Sequence, residues 1–220
     1  MSGRAMLAGV LLTLIAAATA AAHGGNEKFR SEFRSVQPSI AGVQVEVLNY
    51  DDRLLLVNRT GKTVAISGYE REPYARLRAD GTVEVNRRSP THYLNEERYG
   101  GTPVPRSADP KAPPQWQTVS STGRFEWHDH RIHWMSKGTV PPQVRDEDVR
   151  TKVFDWRVPI RVGSRPAHLT GALFWQPAAA SGVPTAAIVA LAALALATLV
   201  LFVVTRRRRA AGGRRRRQAW

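Results

Sequence analysis

The sequence predicts an all-β exported domain, an antiparallel β-sandwich of immunoglobulin-like layout, set between an N-terminal signal peptide and one C-terminal transmembrane helix. Three observations predict it. Short apolar runs of strand length recur between residues 43 and 175, several of them alternating with polar residues. Turn-forming Gly, Asn, Asp and Pro punctuate those runs. Outside the two ends of the chain no segment sustains a 3.6-residue apolar period, so seven or more short strands must bury their apolar faces against one another in two layers.

In chain order, residues 1–22 read as a secretory signal: Arg4 supplies the positive end, Ala5 to Ala18 a short apolar run, and small residues follow. The small-x-small rule allows cleavage before Ala21 or before His23. No paired arginines precede the run, which predicts export in the unfolded state. Residues 23–176 then form the extracytoplasmic domain. Within it, Glu27 to Val36 is the one place where a short helix or turn is expected, because Phe29 and Phe33 are four apart. Val43, Val45 and Val47 alternate with Gln44 and Glu46 as in a half-buried strand. Leu54 to Val57 and Val64 to Ile66 flank Asn58-Arg59-Thr60-Gly61-Lys62 and predict a hairpin. Tyr74 to Arg78 and Val83 to Asn86 flank Asp80-Gly81, a stronger hairpin signal. The prolines at 103, 105, 110, 113 and 114 predict an extended loop. Strands are expected again at Trp116 to Val119 and Phe125 to Met135. A final hairpin joins Val153 to Val162 with His168 to Trp175 across Gly163-Ser164-Arg165-Pro166. Regular alternation makes most of Trp116, Trp127, Trp134, Trp156 and Trp175 core residues rather than stacking platforms for a sugar.

Residues 177–184 are a stalk of Pro, Ala, Ser and Gly that reaches roughly 25 Å when fully extended, so the domain is expected close to the bilayer. Thr185 to Thr205 carries no charge over 21 residues. As a helix it spans about 31 Å, enough for a hydrocarbon core of about 30 Å. Residues 206–220 hold the clusters Arg206 to Arg209 and Arg214 to Arg217, which place that flank in the cytoplasm, on anionic lipid.

Charge and composition exclude several functions. The chain has 32 Lys and Arg against 18 Asp and Glu, a formal +14. Nine of those arginines lie in the leader and tail, which leaves 23 cations and a net +5 for the rest. The basic balance is therefore a topology signal, and no nucleic-acid partner is expected. Absence of Cys excludes thiol catalysis, Cys-ligated zinc and blue-copper sites. Gly61-Lys62-Thr63 lacks the upstream glycine of a phosphate-binding loop, since Leu56 stands there. Asp146-Glu147-Asp148 lacks the alternating oxygens and glycine of a calcium loop and reads as a solvated turn. Asn58-Arg59-Thr60 is a formal glycosylation sequon that equally makes a turn. No nucleophile elbow or zinc-protease helix occurs, and the chain is not expected to be an enzyme.

One constellation remains: Trp127-His128-Asp129-His130-Arg131-Ile132-His133-Trp134-Met135, which holds three of the six histidines. If the segment is a strand, His128 and His130 share a face about 6.5 to 7 Å apart, a spacing at which two imidazoles can converge on a metal, while His133 points away unless a bulge intervenes. Cleavage after Ala22 would expose His23, whose amino group and Nδ1 chelate. Adding one more imidazole gives a three-nitrogen set suited to Cu(II). The candidate metal ligands are thus His23, His128 and His130, with His133 in reserve, and copper is the implied cofactor. The plainer alternative is structural: indoles cover the core edge, histidines bond loop backbone, and Asp129 with Arg131 forms a surface ion pair.

Asn49-Tyr50-Asp51-Asp52-Arg53-Leu54, Arg87-Arg88-Ser89-Pro90 with Tyr93-Leu94-Asn95, and the block from Trp127 to Met135 resemble an uncharacterised family of exported, single-pass membrane-anchored proteins from high-GC bacteria. The resemblance covers most of residues 36–176 and the leader-and-anchor layout. It implies the topology and implies no activity. Two functions follow as expectations: an interaction or structural module at the cell membrane, with the bilayer and another membrane or envelope protein as partners, or a copper-handling surface protein.

Overall fold

The computed structural model describes residues 26–177 and 185–217. The expected signal segment 1–22 with its expected cleavage sites, His23 and nearly all of the expected stalk lie outside the described residues. The chain divides into two compact units, one ending at Ala178 and one beginning at Ala179. Among the described residues the first holds ten strands and one short helix: β1 (Phe29–Gln37), β2 (Val43–Leu48), β3 (Arg53–Asn58), β4 (Val64–Ser67), β5 (Pro73–Leu77), β6 (Val83–Asn86), α1 (Pro90–Leu94), β7 (Trp116–Ser120), β8 (Arg124–His128), β9 (Thr151–Val162) and β10 (Arg165–Trp175). A seven-stranded sheet runs β1-β10-β9-β4-β5-β6-β7 and a three-stranded sheet β2-β3-β8. Every pairing is antiparallel.

Period-two burial joins the sheets. In β9 the side chains of Trp156, Val158, Ile160 and Val162 are buried while Arg157 and Arg161 are exposed. They meet Val64, Ile66 and Leu77 from the same sheet and Leu54, Leu56 and Trp127 from the smaller one in a single apolar core. Pro159, which has no N–H to give, sits where β4 ends: β4 pairs with Arg161 and Ile160 and goes no further along β9. A smaller cluster of Phe29, Val153, Leu173 and Trp175 fills one end.

The β5–β6 and β9–β10 hairpins match expectation, with Gly81 at φ +88° and Gly163 at φ +58° in their turns. Three expectations need correction. Residues 29–37 form β1 rather than a helix or turn; a spacing of four is even, so it keeps Phe29 and Phe33 on one face of a strand as readily as on one face of a helix. Leu54 to Val57 and Val64 to Ile66 do not pair with each other, because β3 lies between β2 and β8 while β4 lies between β9 and β5. The chain crosses between sheets there. Asn58 pins the crossing by donating from Nδ2 to Lys62 O (2.8 Å) and Leu77 O (3.0 Å) and accepting at Oδ1 from the Thr60 amide and hydroxyl. Finally, the strand expected from Phe125 to Met135 stops at His128. The Asp129 carboxylate accepts from Arg131 N (3.1 Å) and Ile132 N bonds Asp129 O (3.1 Å), which turns the chain.

The second unit is α2 (Thr185–Arg217). Its stretch Ile188–Arg208 is long and apolar enough to cross a membrane, with mean hydropathy 2.8. The helix continues through the basic clusters to Arg217.

Candidate functional site

The block from Trp127 to Met135 lies among buried polar groups drawn from the β2–β3 turn, the β4–β5 connection, α1 and the segment after it. Because the chain turns at Asp129, the alternation of faces ends there, and each histidine has a different environment.

His128 closes β8 and is nearly buried. Its Nδ1 stands 3.0 Å from Asp52 Oδ1 and 3.2 Å from Asp52 O, both acceptors, so Nδ1 carries the proton. Asp52 and Asp51 are fully buried side by side. Arg98 forks onto both, Nη1 donating to Asp52 Oδ1 at 3.0 Å and Nη2 to Asp51 Oδ2 at 2.7 Å. Burial works to raise both carboxyls. For Asp52, His128 and Arg98 together outweigh it and hold the group below its ordinary range, whereas for Asp51 burial wins over Arg98. One guanidinium and one imidazole thus hold two adjacent carboxyls inside the fold, and leaving either carboxyl without them would be costly.

Asp129, fully buried, pairs with a part-buried Arg131, which corrects the expected surface ion pair. Asp129 is fully buried and accepts from Trp127 Nε1 (2.9 Å) as well as from Arg131 Nε (2.7 Å) and Nη2 (2.6 Å). Burial alone would raise its pKa; Arg131 reverses that and lowers it. Arg131 also donates to Ser67 O and stacks on Tyr69.

His130 and His133 are the histidines whose rings meet, 5.5 Å apart and edge to face. His130 lies parallel to Tyr69 at 5.6 Å, and its Nε2 bonds Glu97 O at 3.0 Å, leaving Nδ1 with a lone pair. His133 is 1 % exposed; Nδ1 bonds Trp134 O at 3.2 Å and Nε2 is buried without a partner. Burial first, then the neighbouring Arg98 charge, pushes His133 down to about 4. It is a neutral ring at physiological pH. The turn at Asp129 therefore brings His130 together with the reserve ligand His133, and His128 instead serves Asp52. Among the described residues no group of three or more His, Asp or Glu side chains is placed to hold a metal. His23 lies outside them.

Several groups here escaped the sequence reading. Glu72 is buried and accepts from Ser89 Oγ (2.5 Å), Thr91 Oγ1 (2.8 Å) and Glu70 N (3.0 Å). Ser89-Pro90 carries a helix-start signature that predicts α1, with the serine hydroxyl diverted to Glu72 instead of capping the helix. Asn95, at the end of α1, accepts from the Tyr69 hydroxyl, while its Nδ2 is buried without a partner. Arg98 lies 46 residues from Asp52 in the chain, and nothing in the sequence links them.

Two cavities adjoin this region. One of about 600 Å³ is lined by Phe29, Tyr99, Trp134, Val140 and Trp175. The other, of about 310 Å³, is lined by Tyr74, Val85, Asn95, Val119, Phe125 and His128. No known protein family, curated protein or solved structure matches the chain.

Proposed function

We propose that this chain is a membrane-anchored extracytoplasmic interaction module: a leader directs export, residues 23–176 stand outside as a β-sandwich of immunoglobulin-like layout, and α2 crosses the membrane with its arginines in the cytoplasm. The topology is that of the high-GC bacterial family which the sequence resembles. One observation carries the reading. The charged groups of this region are tied into the fold, Arg98 to Asp51 and Asp52, Arg131 to Asp129, and Glu72 to Ser89 and Thr91, which stiffens the domain. A stiff domain on an apolar helix suits holding a partner at the membrane. Crosslinking in intact membranes followed by affinity purification tests it: the same stoichiometric envelope protein should recur, and a chain that returns only as free monomer rejects the reading.

A second reading is favoured by the orphaned His133 Nε2 and by the Nδ1 of His130, which has no partner among the described residues, on rings 5.5 Å apart centre to centre. Those two nitrogens, joined by the amino group and ring of His23 in a mature chain that begins there, would supply a planar nitrogen set for Cu(II). Electron paramagnetic resonance of the mature full chain with Cu(II) tests it. Nitrogen hyperfine structure lost in both His130→Ala and His133→Ala supports copper, and an unchanged spectrum in either variant rejects it.

A further inference from the structure

β7 and β8 follow each other in the chain, yet β7 is an edge of the seven-stranded sheet and β8 an edge of the three-stranded one. On the opposite side of the domain, Ser31 N of edge strand β1 bonds Tyr50 O, just past edge strand β2, at 2.9 Å and ties the sheets together. Among the described residues no such bond spans β7 and β8. The backbone of β7 is bonded to β6 alone and that of β8 to β3 alone. The cavity of about 310 Å³ lies in this seam, with Val119 of β7 and Phe125 and His128 of β8 on its walls and Tyr74 and Val85 behind.

Exposed strand edges invite pairing, and proteins block unwanted pairing with charge. Three of the four edges are blocked in this way: β1 carries Arg30, Glu32 and Arg34, β2 carries Glu46, and β8 carries Arg124 and Glu126. β7, Trp-Gln-Thr-Val-Ser, has no charge, and Val119 is 50 % exposed. The polar groups in the seam are also complementary to a main chain. Asn95 Nδ2 is a buried donor with no acceptor, since its Oδ1 is taken by Tyr69. His128 directs Nδ1 at Asp52, and among the described residues its Nε2 has no partner. Two unpartnered polar atoms of the seam thus suit the main-chain polar groups of a peptide.

We propose that the seam between β7 and β8 binds an extended peptide segment of the partner protein. The segment adds as a strand to β7, sends an apolar side chain between Val119 and Phe125, and presents main-chain polar groups to Asn95 and His128. This rests on the reading of the chain as an interaction module.

The test uses the full chain in lipid nanodiscs and a phage-displayed pool of random dodecapeptides. Enriched peptides should protect β7 amides from hydrogen exchange, and their affinity should fall roughly tenfold or more in Val119→Lys, which charges the edge. Gln44→Lys, a change at an exposed position on the opposite edge, should leave it unaltered. No enrichment over the Val119→Lys protein, or protection located away from residues 116–120, overturns the seam. Crosslinking separates the two proposals: an envelope partner captured equally by wild type and Val119→Lys leaves the module standing and removes the seam as its docking place.

Discussion

Asp129 shows how much one side chain decides. Its carboxylate ends β8, turns the chain and neutralises Arg131 inside the fold. Asp129→Asn should cost about 3 kcal/mol by leaving a part-buried guanidinium uncompensated, read as a lowered urea midpoint; the double variant Asp129→Asn, Arg131→Met should regain part of it. His133 makes a prediction with a definite sign. Its folded pKa of about 4 lies below the ordinary 6.5, so the unfolded chain takes up the proton first as pH falls. Stability should therefore decline from about pH 6.5 downward, by about 2 kcal/mol at pH 5. Asp52 is also held low, but its contribution is lost only below its ordinary 3.8, outside that window. Comparing urea midpoints at pH 7 and pH 5 checks this, and His133→Leu should flatten the difference. The sequence marked the three histidines as unusual. It could not tell which pair would meet, because that depends on where the strand ends.

Strands were legible wherever the even-numbered spacing of apolar residues ran unbroken. β2, β5, β6, β9 and β10 follow from alternation and from Asp80-Gly81 alone. β1 was misread because Phe29 and Phe33 satisfy both periods, and β3 to β4 because a turn sequence does not reveal whether its flanking strands share a sheet. Packing density within β10 gives a test at this scale. Gly171 lies where a Cβ would stand 2.1 Å from Trp156 Cζ2 and 2.2 Å from Glu32 O, between β1 and β9. Neither the backbone oxygen nor a buried indole can yield cheaply. Gly171→Ala should lower stability by about 1 to 3 kcal/mol, read by thermal unfolding, and the largest loss of amide protection should fall in β1 and β10.

For the whole molecule, the absence of Cys makes topology simple to probe. Ser107→Cys, in the exposed Pro-rich loop, and Gln218→Cys, past the arginines, each give a chain with a single thiol. On intact cells a membrane-impermeant maleimide should label position 107 and spare position 218 until the membrane is permeabilised. Labelling in the reverse order would place the β-domain inside. Deleting residues 185–205 should move the domain from the membrane to the soluble fraction.

By itself the sequence determined the β-class of the domain, most of its strands and the apolar C-terminal helix, because each follows from the period or length of a local apolar run. Only the tertiary structure decided which strands share a sheet, where β8 stops, and that Arg98 and His128 would hold Asp51 and Asp52 within the fold. Those outcomes depend on partners dozens of residues apart, whose meeting is set by the packing of the core and the pairing of buried charges, and local pattern carries no record of either.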